Sequence, residues 1–162
     1  MKILMAGEGG QGVQLAAEVL AHAAFLENKN SSFIPNFGVE QRGGVSLAFI
    51  KINEGSYPKF DKADILAIFC DRAFERVKNY VDQGTKIIAG PAVNKHMGDG
   101  LWHIVRNRGL PAKVWNILIL ARIVEISGIV NKESIRKALE DSLGEKFKEN
   151  PNLRELNLKA LK

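Results

Sequence analysis

The chain opens with an apolar run, Met1 to Ala6, that breaks off into glycines, the pattern of a short strand buried on both faces. From Val13 to Glu27 the apolar residues Ala16, Val19, Leu20, Ala23 and Ala24 recur at helical spacing, so a helix follows. Strand, glycine turn and helix make the first half of a βαβ unit. Residues 28–36 are polar and contain Pro35, and with Phe37-Gly38 they read as an irregular loop. A second glycine turn, Arg42-Gly43-Gly44, then opens a strand over Val45–Ile52. Asp64–Cys70 reads as a third, buried strand, Arg72–Val81 as a helix closed by Gly84, and Thr85–Ala89 as a fourth strand.

The second half is less regular. Residues 92–112 resist assignment, although Leu101–Val105 offers a further strand. Lys113–Ser127 is a strongly apolar helix that Gly128 should stop; it is apolar on more than one face, which suggests partial cover by a partner chain. Asn131 caps a last helix through Leu143, and after Gly144 comes a charged tail containing Pro151. Alternating strands and helices predict an α/β fold. Because the strand at Val45 follows a loop rather than a helix, part of the sheet should be antiparallel. The expected architecture is a single domain over 1–162. It has three layers, a mixed and mostly parallel β-sheet with flanking helices, and a Rossmann-like glycine-rich first βα turn.

Composition removes several function classes. With 46% hydrophobic and 25% charged residues in a chain of 162, the protein is an ordinary globular domain. The net charge of +5 is spread along the chain, so no nucleic-acid partner is expected. The single cysteine, Cys70, can form no internal disulfide and cannot hold an iron–sulfur cluster, which needs about four thiolates. At the end of an apolar run it reads as a small core residue. No signal-peptide pattern opens the chain, and the apolar stretch Val114–Val130 is broken by Asn116, Arg122 and Glu125. A soluble, cytoplasmic protein with no membrane contact is expected.

The candidate chemistry lies in the first glycine turn. Gly7, Gly9 and Gly12 satisfy G-x-G-x-x-G, and a Cβ-free turn before a helix lets backbone N–H groups approach an anion. A dinucleotide site also wants an acidic residue at the end of the second strand, about 20 positions on. Ser31-Ser32-Phe33-Ile34 offers none, and Glu27 belongs to the helix. The competing reading is a tight βα corner in which glycines permit close packing. His22, His96 and His103 show no metal-ligand spacing, and Asp61, Asp64 and Asp71 read as turn and cap residues. Arg106, Arg108, Lys113 and Arg122 form an acid-free stretch that is either an anion patch or a solvated face. No catalytic residue and no metal ligand is assigned.

Two segments together are more specific than either alone. Gly7-Glu8-Gly9-Gly10-Gln11-Gly12-Val13, followed by Pro35-Asn36-Phe37-Gly38-Val39-Glu40-Gln41-Arg42-Gly43-Gly44, resembles the gamma subunits of 2-oxoacid:ferredoxin oxidoreductases. The resemblance continues through Pro58, Asp64 and Asn116 and is weak beyond residue 90. It implies a subunit of a complex that decarboxylates a 2-oxoacid, forms acyl-coenzyme A and reduces ferredoxin. Thiamine diphosphate, Mg²⁺ and iron–sulfur clusters would sit on alpha, beta and delta-type partners, none on this chain, with coenzyme A as co-substrate. Ligand or interface binding would fall to Gly7, Gly9, Gly10, Gln11, Gly12, Glu40, Arg42, Gly43 and Gly44. The N–H groups of Gly9 to Gly12 and the Gln11 side chain would donate to an anion. Arg42 would act as a planar fork oriented by Glu40, unless the two form an ion pair of their own. A free-standing dinucleotide-binding oxidoreductase and a purely structural interaction module are the alternatives.

Overall fold

The computed structural model describes every residue except 38–43, 56, 58 and 95–99. Among the described residues the sheet has the order β2-β3-β1-β4-β5, built from β1 (Lys2–Glu8), β2 (Ser31–Phe37), β3 (Val45–Ile52), β4 (Ile65–Ile68) and β5 (Lys86–Ala89). β3 runs antiparallel to both of its neighbours, β1 and β2, whereas β4 is parallel to β1 and β5 parallel to β4. Four strands therefore point one way and β3 the other, as the loop before Val45 predicted.

Side-chain alternation assigns each strand residue to one of two cores. Ile3 and Met5 of β1, Ala48, Ile50 and Ile52 of β3, and Ile65 and Ala67 of β4 face one side. There they meet α1 (Val13–Leu26), α4 (Trp115–Ser127), α5 (Lys132–Glu149) and α6 (Pro151–Leu161). Leu4, Ala6, Phe49, Leu66 and Ile68 face the other side, where Ala73 and Val77 of α2 (Asp71–Val77) cover them. The result is three layers, and the central strand is apolar on both faces because both are covered.

Several expected elements differ, each for a physical reason. Residues 31–37 form a strand rather than a loop: Pro35 is tolerated because β2 lies at the sheet edge and pairs on one side only. Residues 102–108 form a helix, α3 (Trp102–Arg108), not a strand. Leu101, Ile104 and Val105 stand at helical i, i+3, i+4 spacing and pack into the larger core. Gly84 does not cap α2, which gives way to a 3₁₀ turn at Lys78–Tyr80; Gly84 instead donates its N–H to Asp82 Oδ1. α5 runs through Gly144 to Glu149, anchored by the buried Phe147. The tail is α6, with Pro151 in its first turn and the Asn150 side chain accepting from Leu153 N–H, so this proline starts a helix. Arg154 of α6 pairs with Glu140 of α5 at 2.6 Å. The broad apolar surface of α4 is taken up inside the chain, with Ile117 to Ala121, Ile123 and Val124 all buried. Gly128 does stop α4, at φ 61.

Asn131 precedes α5 without a side-chain cap bond; its own N–H donates to Glu27 Oε1 at 2.6 Å. Glu27 also accepts from Lys29, whose ammonium reaches the Ile129 carbonyl as well. This cluster ties the end of α1 to the start of α5. Burial alone would raise the Glu27 carboxyl, but the bonds from Lys29, the Asn131 N–H and Ser134, with the Lys29 charge, outweigh it and hold the pKa at about 2. A depressed carboxyl stabilises the fold above its ordinary pKa of about 4.5 and loses that contribution as pH falls toward about 2. Glu27→Ala is expected to cost about 1–2 kcal/mol at neutral pH. Urea melts across this acid range should show the gap between the two proteins closing; a gap independent of pH would rule the charged latch out.

Candidate functional site

The site forms where β1 turns into α1. Glu8 N–H donates to Gln11 Oε1 at 2.8 Å, and Gln11 N–H returns to the Glu8 carbonyl at 3.1 Å, closing a tight turn. The corner is crowded on its inner side. A Cβ at Gly7 would stand 2.7 Å from Val13 Cγ2 and 2.8 Å from Phe69 Cβ, so only glycine lets α1 and the end of β4 approach. Gly12 is the N-cap of α1 at φ 75, a left-handed conformation, and a Cβ there would meet Asn116 Nδ2 at 2.5 Å. Asn116, buried in the first turn of α4, donates to the Gly12 carbonyl at 3.4 Å.

The structure brings Gly44 against the first glycine turn. Gly9 N–H donates to the Gly44 carbonyl at 3.0 Å. Gln14, one turn into α1, donates from Nε2 to Ser46 Oγ and to the Leu47 carbonyl at 2.8 and 2.9 Å. Gly44 and the start of β3 are thus pinned to the first turn and to α1 by backbone and side chain. Of the N–H groups of Gly9 to Gly12, those of Gly9 and Gln11 are therefore spent inside the protein. Those of Gly10 and Gly12 have no intrachain acceptor among the described residues. Glu40, Arg42 and Gly43 lie outside the described residues, so of the second group only Gly44 is placed.

Beside the turn is a crevice of about 250 Å³ lined by Gly10, Gln11, Phe69, Pro91, Ala112, Lys113, Trp115 and Ile119. It lies outside the carboxyl ends of β1, β4 and β5. Helices α1 and α2 leave β1 and β4 on opposite faces, so this is the switch point where open α/β sheets form binding crevices. Of its lining residues after Gln11, Lys113 stood out in the sequence, as part of the acid-free basic stretch; the others come from the ends of β4 and β5 and from α4 and the turn before it, which meet only in the fold. Asn116 did stand out, as a polar residue within an apolar run.

The remaining candidates have structural roles. Cys70 precedes α2, and its thiol is pushed up mainly by burial, the wrong direction for a nucleophile at neutral pH. Asp64 Oδ2 accepts from Lys2 N–H at 2.7 Å, and Asp71 Oδ1 from Asn94 N–H at 2.9 Å. His22 lies 3.7 Å from Asp141, and His103 stacks on Trp102. His96 lies outside the described residues. Among the described residues no group of three His, Cys, Asp or Glu side chains is arranged to hold a metal, and no helix is long and apolar enough to cross a membrane. A dinucleotide fits poorly, because antiparallel β3 separates β1 from β2 by two strand spacings, roughly 10 Å. An acid at the end of β2 would stand too far from the turn for a ribose.

These features define a mixed α/β domain with a glycine corner at its central strand and no activated nucleophile among its described residues. The chain belongs to the pyruvate ferredoxin/flavodoxin oxidoreductase family, whose domain matches residues 2–162. It is 30% identical to the 2-oxoglutarate synthase subunit KorC of Methanocaldococcus jannaschii, over 88% of this chain and 83% of that protein. It is also 30% identical to the pyruvate/ketoisovalerate oxidoreductases common subunit gamma of Pyrococcus abyssi, over 90% of each chain. The keto/oxoacid ferredoxin oxidoreductase gamma subunit from Geobacter sulfurreducens superposes with a TM-score of 0.76 at 25% identity, over 99% of this chain and 93% of that one. A 2-oxoglutarate:ferredoxin oxidoreductase from Magnetococcus marinus, with 2-oxoglutarate, coenzyme A and succinyl-CoA bound, shares the fold at a TM-score of 0.82 and 19% identity. This chain is covered over 99% of its length by that match, and the larger chain over 29%.

The Gly12–Asn116 contact makes a stability prediction. Gly12→Ala is expected to cost roughly 2 kcal/mol, from the left-handed backbone and the collision with the amide. In an Asn116→Ala background the same change should cost less, because the space is open. A double-mutant cycle read by denaturant unfolding should give a coupling above about 0.5 kcal/mol; strict additivity would separate the two residues.

Proposed function

We propose that the chain is the gamma subunit of a multisubunit 2-oxoacid:ferredoxin oxidoreductase, which converts a 2-oxoacid and coenzyme A to acyl-coenzyme A and passes the electrons to ferredoxin. The observation that carries this reading is the family match over residues 2–162, together with relatives that are themselves named subunits and are matched over 83% and 90% of their own lengths. The chain's own residues agree with an accessory part. Its lone cysteine cannot hold a cluster, which needs about four thiolates. Thiamine diphosphate, Mg²⁺ and the iron–sulfur clusters then belong to alpha, beta and delta-type partners, where they supply the carbanion and electron-transfer chemistry. A cytoplasmic location follows from this assignment.

Within the complex, the corner of Gly7 to Gly12 with Gly44 serves as a binding face. The N–H groups of Gly10 and Gly12 and the amide of Gln11 donate to an anionic group, either a coenzyme A phosphate or a partner carboxylate. Arg42 adds a planar fork oriented by Glu40, with Gly43 letting the backbone approach. Charge exchange tests that role. Glu40→Arg and Arg42→Glu should each lower coenzyme-A-dependent turnover by about tenfold or more, and the double exchange should not restore it. Full restoration would make the pair an internal bridge instead.

The assignment itself is tested by recovering the tagged chain anaerobically from its source cells. The eluate is then assayed with pyruvate, 2-oxoglutarate and branched-chain 2-oxoacids. Larger chains should co-elute with ferredoxin reduction that requires both an oxoacid and coenzyme A. A chain that elutes alone and binds NAD(H) would overturn the proposal in favour of a dinucleotide-binding oxidoreductase.

A further inference from the structure

The crevice at the glycine corner has a one-sided chemistry. Its walls are Phe69, Pro91, Ile119 and the Trp115 ring, whose indole N–H is already spent on the Leu110 carbonyl at 3.0 Å. Its polar side chains, Gln11 and Lys113, present donors. The Gln11 carbonyl oxygen is occupied by Glu8 N–H, so the amide has only its NH₂ left to offer. Gly10 has a backbone N–H without an intrachain acceptor, and Lys113 has no acidic partner among the described residues. No acidic side chain lines the space. A cavity with apolar walls, an ammonium and an amide donor among its lining side chains and no carboxylate favours an acceptor-rich head on an apolar body. At about 250 Å³ it holds roughly eight heavy atoms, taking the volume of a liquid water as the yardstick.

We propose that this crevice binds a small amphiphilic anion, a carboxylate or phosphate ester carrying a short branched or unbranched aliphatic body. Lys113, the Gln11 amide and the Gly10 N–H take the head, while Phe69, Pro91 and Trp115 take the body. The inference rests on the reading of the glycine corner as a binding face. It is independent of the oxoacid assignment, because it is tested on this chain alone, whereas assembly and turnover are properties of the complex.

The test uses the full chain, labelled with ¹⁵N, and two probes that share the body and differ in the head: 4-methylpentanoate and isopentyl phosphate. Inorganic phosphate serves as the head alone. At least one amphiphilic probe should bind saturably and shift the Gly10 and Gln11 amides and the Trp115 indole. Inorganic phosphate should bind at least tenfold more weakly. Lys113→Met should weaken the probe by about tenfold or more, the loss of one charge-assisted contact. Ala112→Trp should abolish binding by filling the mouth. Both positions are exposed, so both variants should keep the wild-type circular dichroism spectrum. Shifts absent up to tens of millimolar, shifts that survive Ala112→Trp, or equal affinity for inorganic phosphate would each overturn the proposal. The two heads are told apart by which probe binds more tightly. Shifts seen only with an acidic peptide of a partner chain would also overturn it, making the crevice a protein contact.

Discussion

The structure depends on a close approach at one corner. β1 is the central strand, and the helix that leaves it must turn within a few residues to cover the sheet. Gly7 admits Val13 and Phe69 at distances no side chain would permit, and Gly12 admits Asn116 from a helix 104 residues further on. Two helices and two strands therefore meet at a point where the glycines contribute no side chain and those of Val13, Phe69 and Asn116 fill the space. The backbone donors that remain are exposed there by geometry, because a glycine corner cannot shield them with side chains. The packing and the proposed binding face share one origin: the glycines that fit the core together also leave the Gly10 and Gly12 N–H groups without an acceptor among the described residues.

The antiparallel insertion of β3 decides what this corner is for. In a wholly parallel nucleotide-binding sheet the second strand lies beside the first and carries the ribose contact. Here β3 occupies that place and β2 is displaced to the edge. The displaced geometry forfeits the ribose site but delivers Gly44, at the start of β3, directly onto Gly9. Gln14 reinforces the junction by reaching over to Ser46 and Leu47. The G-x-G-x-x-G spacing is therefore met in letter, while the topology around it joins the first turn to Gly44 and β3 rather than cradling a dinucleotide.

Much of this was legible in the residues. The strands of the inner sheet announced themselves as apolar runs because both of their faces are covered, and β3 was bounded to the residue, Val45–Ile52, after the glycines before it. The edge and the periphery were harder to read. β2 has few apolar residues to signal a strand, since its backbone pairs on one side and much of its surface is partly exposed. α3 was mistaken for a strand because a five-residue apolar cluster fits either period, and its packing against the larger core decides between them. The tail was misread because Pro151 can end one helix or begin another, and Asn150 before it was the deciding signal. The crevice was legible only in Gly10, Gln11 and Lys113, for a different reason. Its walls come from the ends of β4 and β5 and from the approach to α4, so only the sheet order places them together.

What the described residues lack in reactivity they make up in fixed donors. The Cys70 thiol is held protonated by burial, and the aspartates that flank the strands are committed to backbone N–H groups. By contrast, the donors at the corner are held by turn geometry and by Gln11, whose orientation is set by Glu8. Donors placed in advance favour an incoming negative charge without rearranging when it arrives, which is the form of assistance that electrostatic preorganisation supplies. On the proposed reading, such a chain holds a group in place while cofactors on other chains carry the bond-making and electron transfer, the division of labour that an accessory subunit of a redox complex needs.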